Sequence, residues 1–299
     1  MTVLAQAAGG TRARPALWIV GLGGFLARGG ILLMVLPMAP VPSTVGLATL
    51  VGPTSVTAAG LTADSVVRLI VAIVAAVAWL LAGTALGAVA DIALVDGFGP
   101  SVDGATRRRI GRLIAIRLAA LVPLAVIVTI AARSVGELVY NELVLPRDIA
   151  TPLVLRVIEG AEVQVAAIGL AWLVGETLGG LGVRLAIVDD RSVVGSLGGA
   201  LVQMVRHPVA TLVTTAVGLA ALVVAVVPGL LLAGAAWGIV ERTLAGPADP
   251  AAVIGSTCLL VAIWVGWAAI AGVLAAFRSA LWTAWMVRAG APTRSHESG

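Results

Sequence analysis

The sequence predicts an all-α integral membrane protein, a polytopic bundle of about six transmembrane helices with short interfacial amphipathic helices. Of its 299 residues, 60% are hydrophobic and only 11% are charged. Soluble domains have roughly 45–50% apolar and about 25% charged residues. The apolar residues also gather in six runs, each of about the 20 residues that a helix needs to cross a bilayer. Together these observations exclude a water-soluble globule, a disordered chain, a coiled coil and a disulfide scaffold.

The six runs are too long for the strands of an outer-membrane barrel and lack their alternating pattern. They belong to a single transmembrane domain over 1–299, which ends in a disordered tail over about 290–299. The predicted spans cover about 16–36, 67–95, 110–132, 163–188, 209–239 and 251–277.

The first predicted element is the span over 16–36, which follows Arg12 and Arg14. A secretory signal peptide also starts with basic residues, but its apolar core is only about 7–15 residues long. This run is longer, and Arg28 interrupts it. We therefore expect a first helix that the mature protein retains.

Two outer connections are predicted, one between the first and second spans and one between the third and fourth. The stretch 37–64 contains four prolines and a single charge, Asp64, so it is expected to lie against the membrane, to cap the bundle or to re-enter the membrane. The stretch 134–162 has charges recurring among apolar residues, which predicts one or two short helices lying in the interface.

An amphipathic helix is predicted over 192–206, on the inner side between the fourth and fifth spans. Its polar and small residues recur every three or four positions, as on one face of a helix. This face comprises Ser192, Ser196, Gly199, Gln203 and Arg206, and the opposite face comprises Val194, Leu197, Leu201 and Val205. Pro208 marks the start of the fifth span.

The arginines predict the orientation of the chain. All 19 basic residues are arginine. With the N-terminus inside, ten arginines of the loops and tails fall on the cytoplasmic side and four on the opposite side. Basic residues prefer cytoplasmic loops. A multi-pass protein of a bacterial inner membrane, with both termini cytoplasmic, is therefore predicted.

Motifs for catalysis are missing from the sequence. It contains no Walker A loop, no dinucleotide-binding glycine pattern, no HExxH and no paired-cysteine metal site. Histidine occurs only at positions 207 and 296. We therefore predict no catalytic residues, no metal site, no cofactor and no enzymatic activity.

Charges at membrane depth are the strongest candidates for a functional site, because they are costly and usually face the interior of a bundle. Arg28 lies near the middle of the first span and Glu176 near the middle of the fourth, so they are predicted to pair. The pair either belongs to a polar pathway or fixes the register of two helices. Asp91 and Arg117, near the inner ends of spans two and three, are a second candidate pair.

Small residues at four-residue spacing predict close helix packing. The two matches are Gly83-x-x-x-Gly87 in the second span and Gly175-x-x-x-Gly179 around Glu176. Four tryptophans near the span ends, at positions 18, 237, 282 and 285, are predicted to be interfacial anchors.

An arginine cluster precedes the third span and is a candidate contact for anionic lipids. Its alternative role is to set the topology of the chain. The cluster comprises Arg107, Arg108, Arg109 and Arg112.

The segment from Gly182 to Pro228 has a distinctive layout: a span ends in the acidic turn Asp189–Asp190, an amphipathic helix with a basic end follows, and a long span begins. This layout resembles that of bacterial six-helix membrane proteins related to the membrane domain associated with some glycerophosphodiester phosphodiesterases. The resemblance implies a stand-alone membrane domain and carries over no active site.

The leading functional hypothesis is an accessory, scaffolding or lipid-interacting membrane protein. The alternative is a transporter or permease subunit with a polar site at Arg28 and Glu176, and a lipid-modifying enzyme that uses Asp and Glu side chains is third. The predicted partners are membrane lipids and, in addition, other membrane proteins or further copies of the chain. The net charge of +4 is small and its arginines flank spans, so no nucleic-acid partner is predicted.

Overall fold

The computed structural model confirms the predicted all-α fold. It describes residues 2–38, 56–57, 60–61, 63–98, 106–145, 148, 151, 153–246 and 249–290. Within these residues, six helices are long and apolar enough to cross a membrane. They cover Ala16–Met38, Val74–Phe98, Ile110–Glu142, Glu162–Val188, Pro208–Ala245 and Pro250–Arg288.

The N-terminal region forms a helix that the sequence did not predict, α1 (Val3–Ala13), which begins where the Thr2 hydroxyl accepts a hydrogen bond from the Ala5 amide. The first span then consists of α2 (Ala16–Phe25), a wide turn over Leu26–Gly30, α3 (Ile31–Val35) and a short 3-10 turn. The span is therefore broken near its middle.

Among the described residues that follow the first span, Val56–Thr57 and Gly60–Leu61 pair as two antiparallel two-residue strands. The later helices are α4 (Ala63–Phe98), α5 (Thr106–Ala120), α6 (Val122–Val144), α7 (Leu153–Gly160), α8 (Glu162–Val188), α9 (Val193–Arg206), α10 (Pro208–Ala245) and α11 (Pro250–Gly290).

The prediction for 134–162 needs a correction, because α6 continues the third span as far as Val144. Among the described residues of this stretch, α7 is the one separate short helix, and it is one of the predicted short helices. Charged side chains at positions 133 and 137 are one helical turn apart and pair with each other, so they do not stop the helix. Most of the stretch 37–64 and the tail beyond 290 lie outside the described residues.

The chain divides into two compact units. Unit 1 comprises Met1–Ala39, Ala82–Arg117 and Leu178–Gly299, and unit 2 comprises Pro40–Leu81 and Leu118–Thr177. The boundaries fall inside α4, α5 and α8. The single domain over 1–299 stays a prediction.

Unit 1 is held together by close contacts between α2 and α11. A β-carbon at Gly21 would lie 2.6 Å from the carbonyl oxygen of Gly272. A β-carbon at Gly272 would in turn lie 2.6 Å from the carbonyl oxygen of Trp18. The two backbones therefore pack where only glycine fits, which fixes α2 along α11.

Two of the four tryptophans predicted to anchor the chain at the interface are instead core residues of unit 1. Trp282 and Trp285 are buried and pack edge to face, with ring centroids 5.7 Å apart. They form a cluster with Leu181, Leu185 and Met286. The prediction was wrong for these two because proximity to a span end does not show which way a side chain faces.

Unit 2 contains a buried ion pair that joins α6 to α7. Glu142 and Arg156 are 2.8 Å apart, and their side chains are only 3% and 4% exposed. The Arg156 guanidinium also donates to the carbonyl oxygens of Asp148 and Thr151 in the connection. Arg156 therefore holds the connection between the two helices.

Replacing Glu142 with leucine is expected to destabilise the protein by about 3–5 kcal/mol, because the Arg156 charge loses its buried partner. The matched control is Glu137→Leu, which breaks an exposed pair with Arg133 and is expected to cost under about 1 kcal/mol. Thermal unfolding in detergent micelles measures both changes. Equal effects would show that the buried pair does not hold the connection.

Candidate functional site

Arg28 lies where the helix of the first span breaks. The backbone leaves helical geometry at Arg28 (φ −86°, ψ 19°) and at Gly29 (φ 99°, ψ 0°). The positive φ at position 29 strains residues that carry a β-carbon, so glycine is required there. Both halves of the span are held by α11, through Gly21 before the break and through a hydrogen bond from Trp264 to the carbonyl oxygen of Met34 after it. The break therefore places the Arg28 side chain at a defined position.

Gly83, Gly87 and Asp91 recur every four residues and so lie along one face of α4. A β-carbon at Gly83 would overlap the carbonyl oxygen of Ala27. One at Gly87 would lie 2.9 Å from Nε of Arg28. The two glycines of this motif therefore allow the broken helix to approach α4, as their spacing predicted.

Asp91 joins two arginines through its two carboxylate oxygens. Nη2 of Arg28 lies 2.5 Å from Oδ1 and also donates to the Gly87 carbonyl oxygen at 3.0 Å. Nη2 of Arg117 donates to Oδ2 at 2.8 Å. The Asp91 side chain is 5% exposed, whereas those of Arg28 and Arg117 are 34% and 12% exposed. The structure therefore brings Asp91 and Arg117 together and adds Arg28 to them.

The other half of the first predicted pair, Glu176, lies in α8 within unit 2, whereas Arg28 belongs to unit 1. The pairing of Arg28 with Glu176 stays a prediction. Within unit 2, a β-carbon at the neighbouring Gly175 would overlap the carbonyl oxygen of Ala120. The second glycine motif thus also provides a close backbone contact.

Arg184 is a buried arginine that the sequence analysis did not identify. Its guanidinium donates to three groups of neutral oxygen acceptors: the carbonyl oxygen of Gly180, the carbonyl and hydroxyl oxygens of Ser279, and the hydroxyl oxygen of Thr283. Its position inside an apolar run was the signal that could have identified it, as for Arg28.

The arginine cluster at the start of the third span is only partly described. Arg112 donates from Nη1 to the carbonyl oxygens of Asp190 and Arg191, and its Nη2 lies 2.5 Å from the Asp190 carboxylate. It therefore fixes the turn that leads into α9. The side chains of Arg107, Arg108 and Arg109 lie outside the described residues, so their contact with anionic lipids stays a prediction.

The chemistry of the site in unit 1 is electrostatic. Two guanidinium groups, those of Arg28 and Arg117, contact the single carboxylate of Asp91. Planar guanidinium groups recognise carboxylates and phosphates through paired hydrogen bonds. Within the described ranges, no three side chains from His, Cys, Asp and Glu come together so as to hold a metal ion.

The layout of α8, α9 and α10 agrees with the predicted order of span, amphipathic helix and span. The resemblance to the membrane domain associated with glycerophosphodiester phosphodiesterases stays a prediction, since no protein-family model, no curated protein and no solved structure matches this chain.

Proposed function

We propose that this chain is an integral membrane protein without a catalytic domain, with an accessory, lipid-interacting role at one membrane surface. The six long apolar helices support the membrane location. The helix α9 supports the lipid-interacting role, and it is the observation on which the proposal rests.

The helix α9 packs one side on the core of unit 1 and exposes the other. Ser196 and Ala200 are buried, and the partly buried Leu197 and Met204 pack against the core clusters of unit 1. The apolar side chains on its outer face are exposed: Val194 by 81%, Leu201 by 56% and Val205 by 73%. A face of this kind suits contact with lipid rather than with water.

The length of α9 favours a position in the interface. Its 14 residues extend about 21 Å, which is less than the roughly 30 Å of a hydrocarbon core. Arg191 precedes the helix and Arg206 ends it. Basic residues beside an apolar face are typical of helices that lie at the surface of an anionic bilayer.

The test of the proposed function uses the double variant Val194→Glu and Val205→Glu. The full-length protein is purified in maltoside detergent, and the phospholipid retained per protein is measured. We expect clearly less phospholipid than in the control Val194→Leu and Val205→Leu, which keeps the face apolar. Equal retention in two folded variants would refute a lipid-interacting role for α9.

The orientation of the chain is proposed from its arginine distribution. Reporters fused near residues 103 and 200 and after 290 are expected to be cytoplasmic, and those near 50, 143 and 247 external. Phosphatase and fluorescent-protein reporters distinguish the two sides. An external signal near residue 200 would show that the topology is inverted from the fourth span onward.

The broken first span favours a second candidate function, a transporter or permease subunit. Discontinuous helices line the substrate sites of many transporters. If Arg28 faces a water-filled pathway, a cysteine placed at Ala27 in a Cys258→Ser background should react with a membrane-impermeant thiol reagent. The comparison is a cysteine at Gly266, an exposed position of α11. If the cysteine at Ala27 reacts no faster than this one, the result would count against transport.

A further inference from the structure

The guanidinium of Arg28 has an open edge. Among the described residues, its protein partners are the Gly87 carbonyl oxygen and the Asp91 carboxylate, and both contact the same nitrogen, Nη2. Its side chain is 34% exposed, unlike the buried Arg184. The N–H groups on Nη1 are therefore available to a ligand.

The position of this edge in the first span makes hydrocarbon an unsuitable neighbour. Arg28 lies 12 residues after the first residue of the span, Ala16, which corresponds to about 18 Å along a helix. A charged side chain near the middle of a span is costly to place in hydrocarbon. An anion beside the exposed edge lowers that cost.

The balance of charge in unit 1 also favours an anion. Arg28 and Arg117 bring two positive charges to the one carboxylate of Asp91. The partners of Arg184 are neutral carbonyl and hydroxyl oxygens. Because the Asp91 carboxylate repels other anions, an additional anion would contact the guanidinium of Arg28 on the edge that faces away from Asp91.

We propose that the open edge of Arg28 is a binding site for a phosphate-type oxyanion, held in place by the Arg28–Asp91–Arg117 network. Arg28 contacts the anion, and Asp91, which Arg117 also holds, orients the Arg28 guanidinium. The phosphate belongs either to a lipid headgroup or to a free solute. The site uses no residue of α9, so it does not depend on the role proposed for that helix.

The experiment measures binding by native mass spectrometry of the full chain in maltoside detergent. The probes are dioleoyl phosphatidic acid, the matching diacylglycerol without phosphate, and inorganic phosphate. We expect phosphatidic acid or inorganic phosphate to bind, and diacylglycerol to bind at least about tenfold more weakly. Binding of phosphatidic acid that millimolar phosphate does not displace identifies the lipid source, whereas binding of inorganic phosphate alone identifies the free solute.

The variant Arg28→Gln is expected to weaken binding of the phosphate probe by about tenfold or more, because a charge-assisted hydrogen bond is lost. The matched control is Arg133→Gln, which changes an exposed arginine of unit 2 and should bind the phosphate probe as the unchanged protein does.

If Arg28→Gln does not fold, Arg28→Lys keeps a positive charge beside Asp91 but lacks the planar fork, and weaker binding is again expected. Unchanged affinity in a folded Arg28 variant, or binding of neither phosphate probe to the unchanged protein, would overturn the proposal.

Discussion

Replacing Asp91 with asparagine should lower the free energy of unfolding by about 3–5 kcal/mol, the usual cost of removing one partner from a buried ion pair. The reason is that Asp91 bridges Arg28 and Arg117 with its two oxygens, and its side chain is 5% exposed. An amide has no charge to offset either guanidinium. Thermal unfolding of the purified protein in detergent measures the change.

The control for this substitution is Asp189→Asn, which removes the same charge from a more exposed pair with Arg191, 3.0 Å apart. It is expected to cost under about 1 kcal/mol. Equal losses for Asp91→Asn and Asp189→Asn would show that the buried network does not stabilise unit 1.

A thermodynamic cycle separates the contact between Arg28 and Asp91 from the other roles of each residue. Asp91→Leu leaves two guanidinium groups without their carboxylate, and Arg28→Leu then removes one of them. The double variant should therefore be less destabilised than the sum of the single variants by about 0.5–3 kcal/mol. Additive losses would contradict the direct pair.

Replacing Gly83 with alanine should destabilise the protein by about 3 kcal/mol, at the upper end of the usual cost of overpacking. The new β-carbon would overlap the carbonyl oxygen of Ala27, and a backbone atom cannot move aside as a flexible side chain can. The broken span would have to withdraw from α4, which also separates Arg28 from Asp91. Thermal unfolding and binding of the phosphate probe should therefore both be affected.

Gly266→Ala is the matched control for Gly83→Ala, because it lies in the helix α11 and a β-carbon there would meet no atom within 4 Å. Since alanine has the higher helix propensity, this control is expected to be neutral or to stabilise by up to about 1 kcal/mol. If both substitutions had the same effect, the contact between the broken span and α4 would not be the close packing described here.

Most of the membrane architecture could be predicted from the sequence, because the cost of placing polar residues in hydrocarbon leaves long apolar runs. The predicted span 163–188 is nearly the helix Glu162–Val188. The least accurate boundaries were the ends of the third and sixth spans, whose helices continue to Val144 and Gly290. A helix does not end where hydropathy falls, since its hydrogen bonds and i,i+4 pairs continue into the polar region.

The site could be predicted only in part. Arg28, Asp91 and Arg117 were identifiable because each is a charge in an apolar run, and Asp91 and Arg117 were expected to meet. The contact of Arg28 with Asp91 was missed, since depth along a straight helix pointed to Glu176 instead. The break at Gly29 changes where the Arg28 side chain lies, and no hydropathy pattern shows a break of that kind.

The sequence by itself determined the class of the protein, the number of its spans and the residues whose charges are costly in a membrane, since these follow from transfer energies that each residue carries independently. The tertiary structure decided which of those charges meet and which faces are buried. Arg28 reaches Asp91 because Gly83 and Gly87 allow the broken span to approach α4, and α9 buries Ser196 because that side of the helix packs on unit 1. Both outcomes depend on contacts between segments distant in the chain, and no local pattern encodes them.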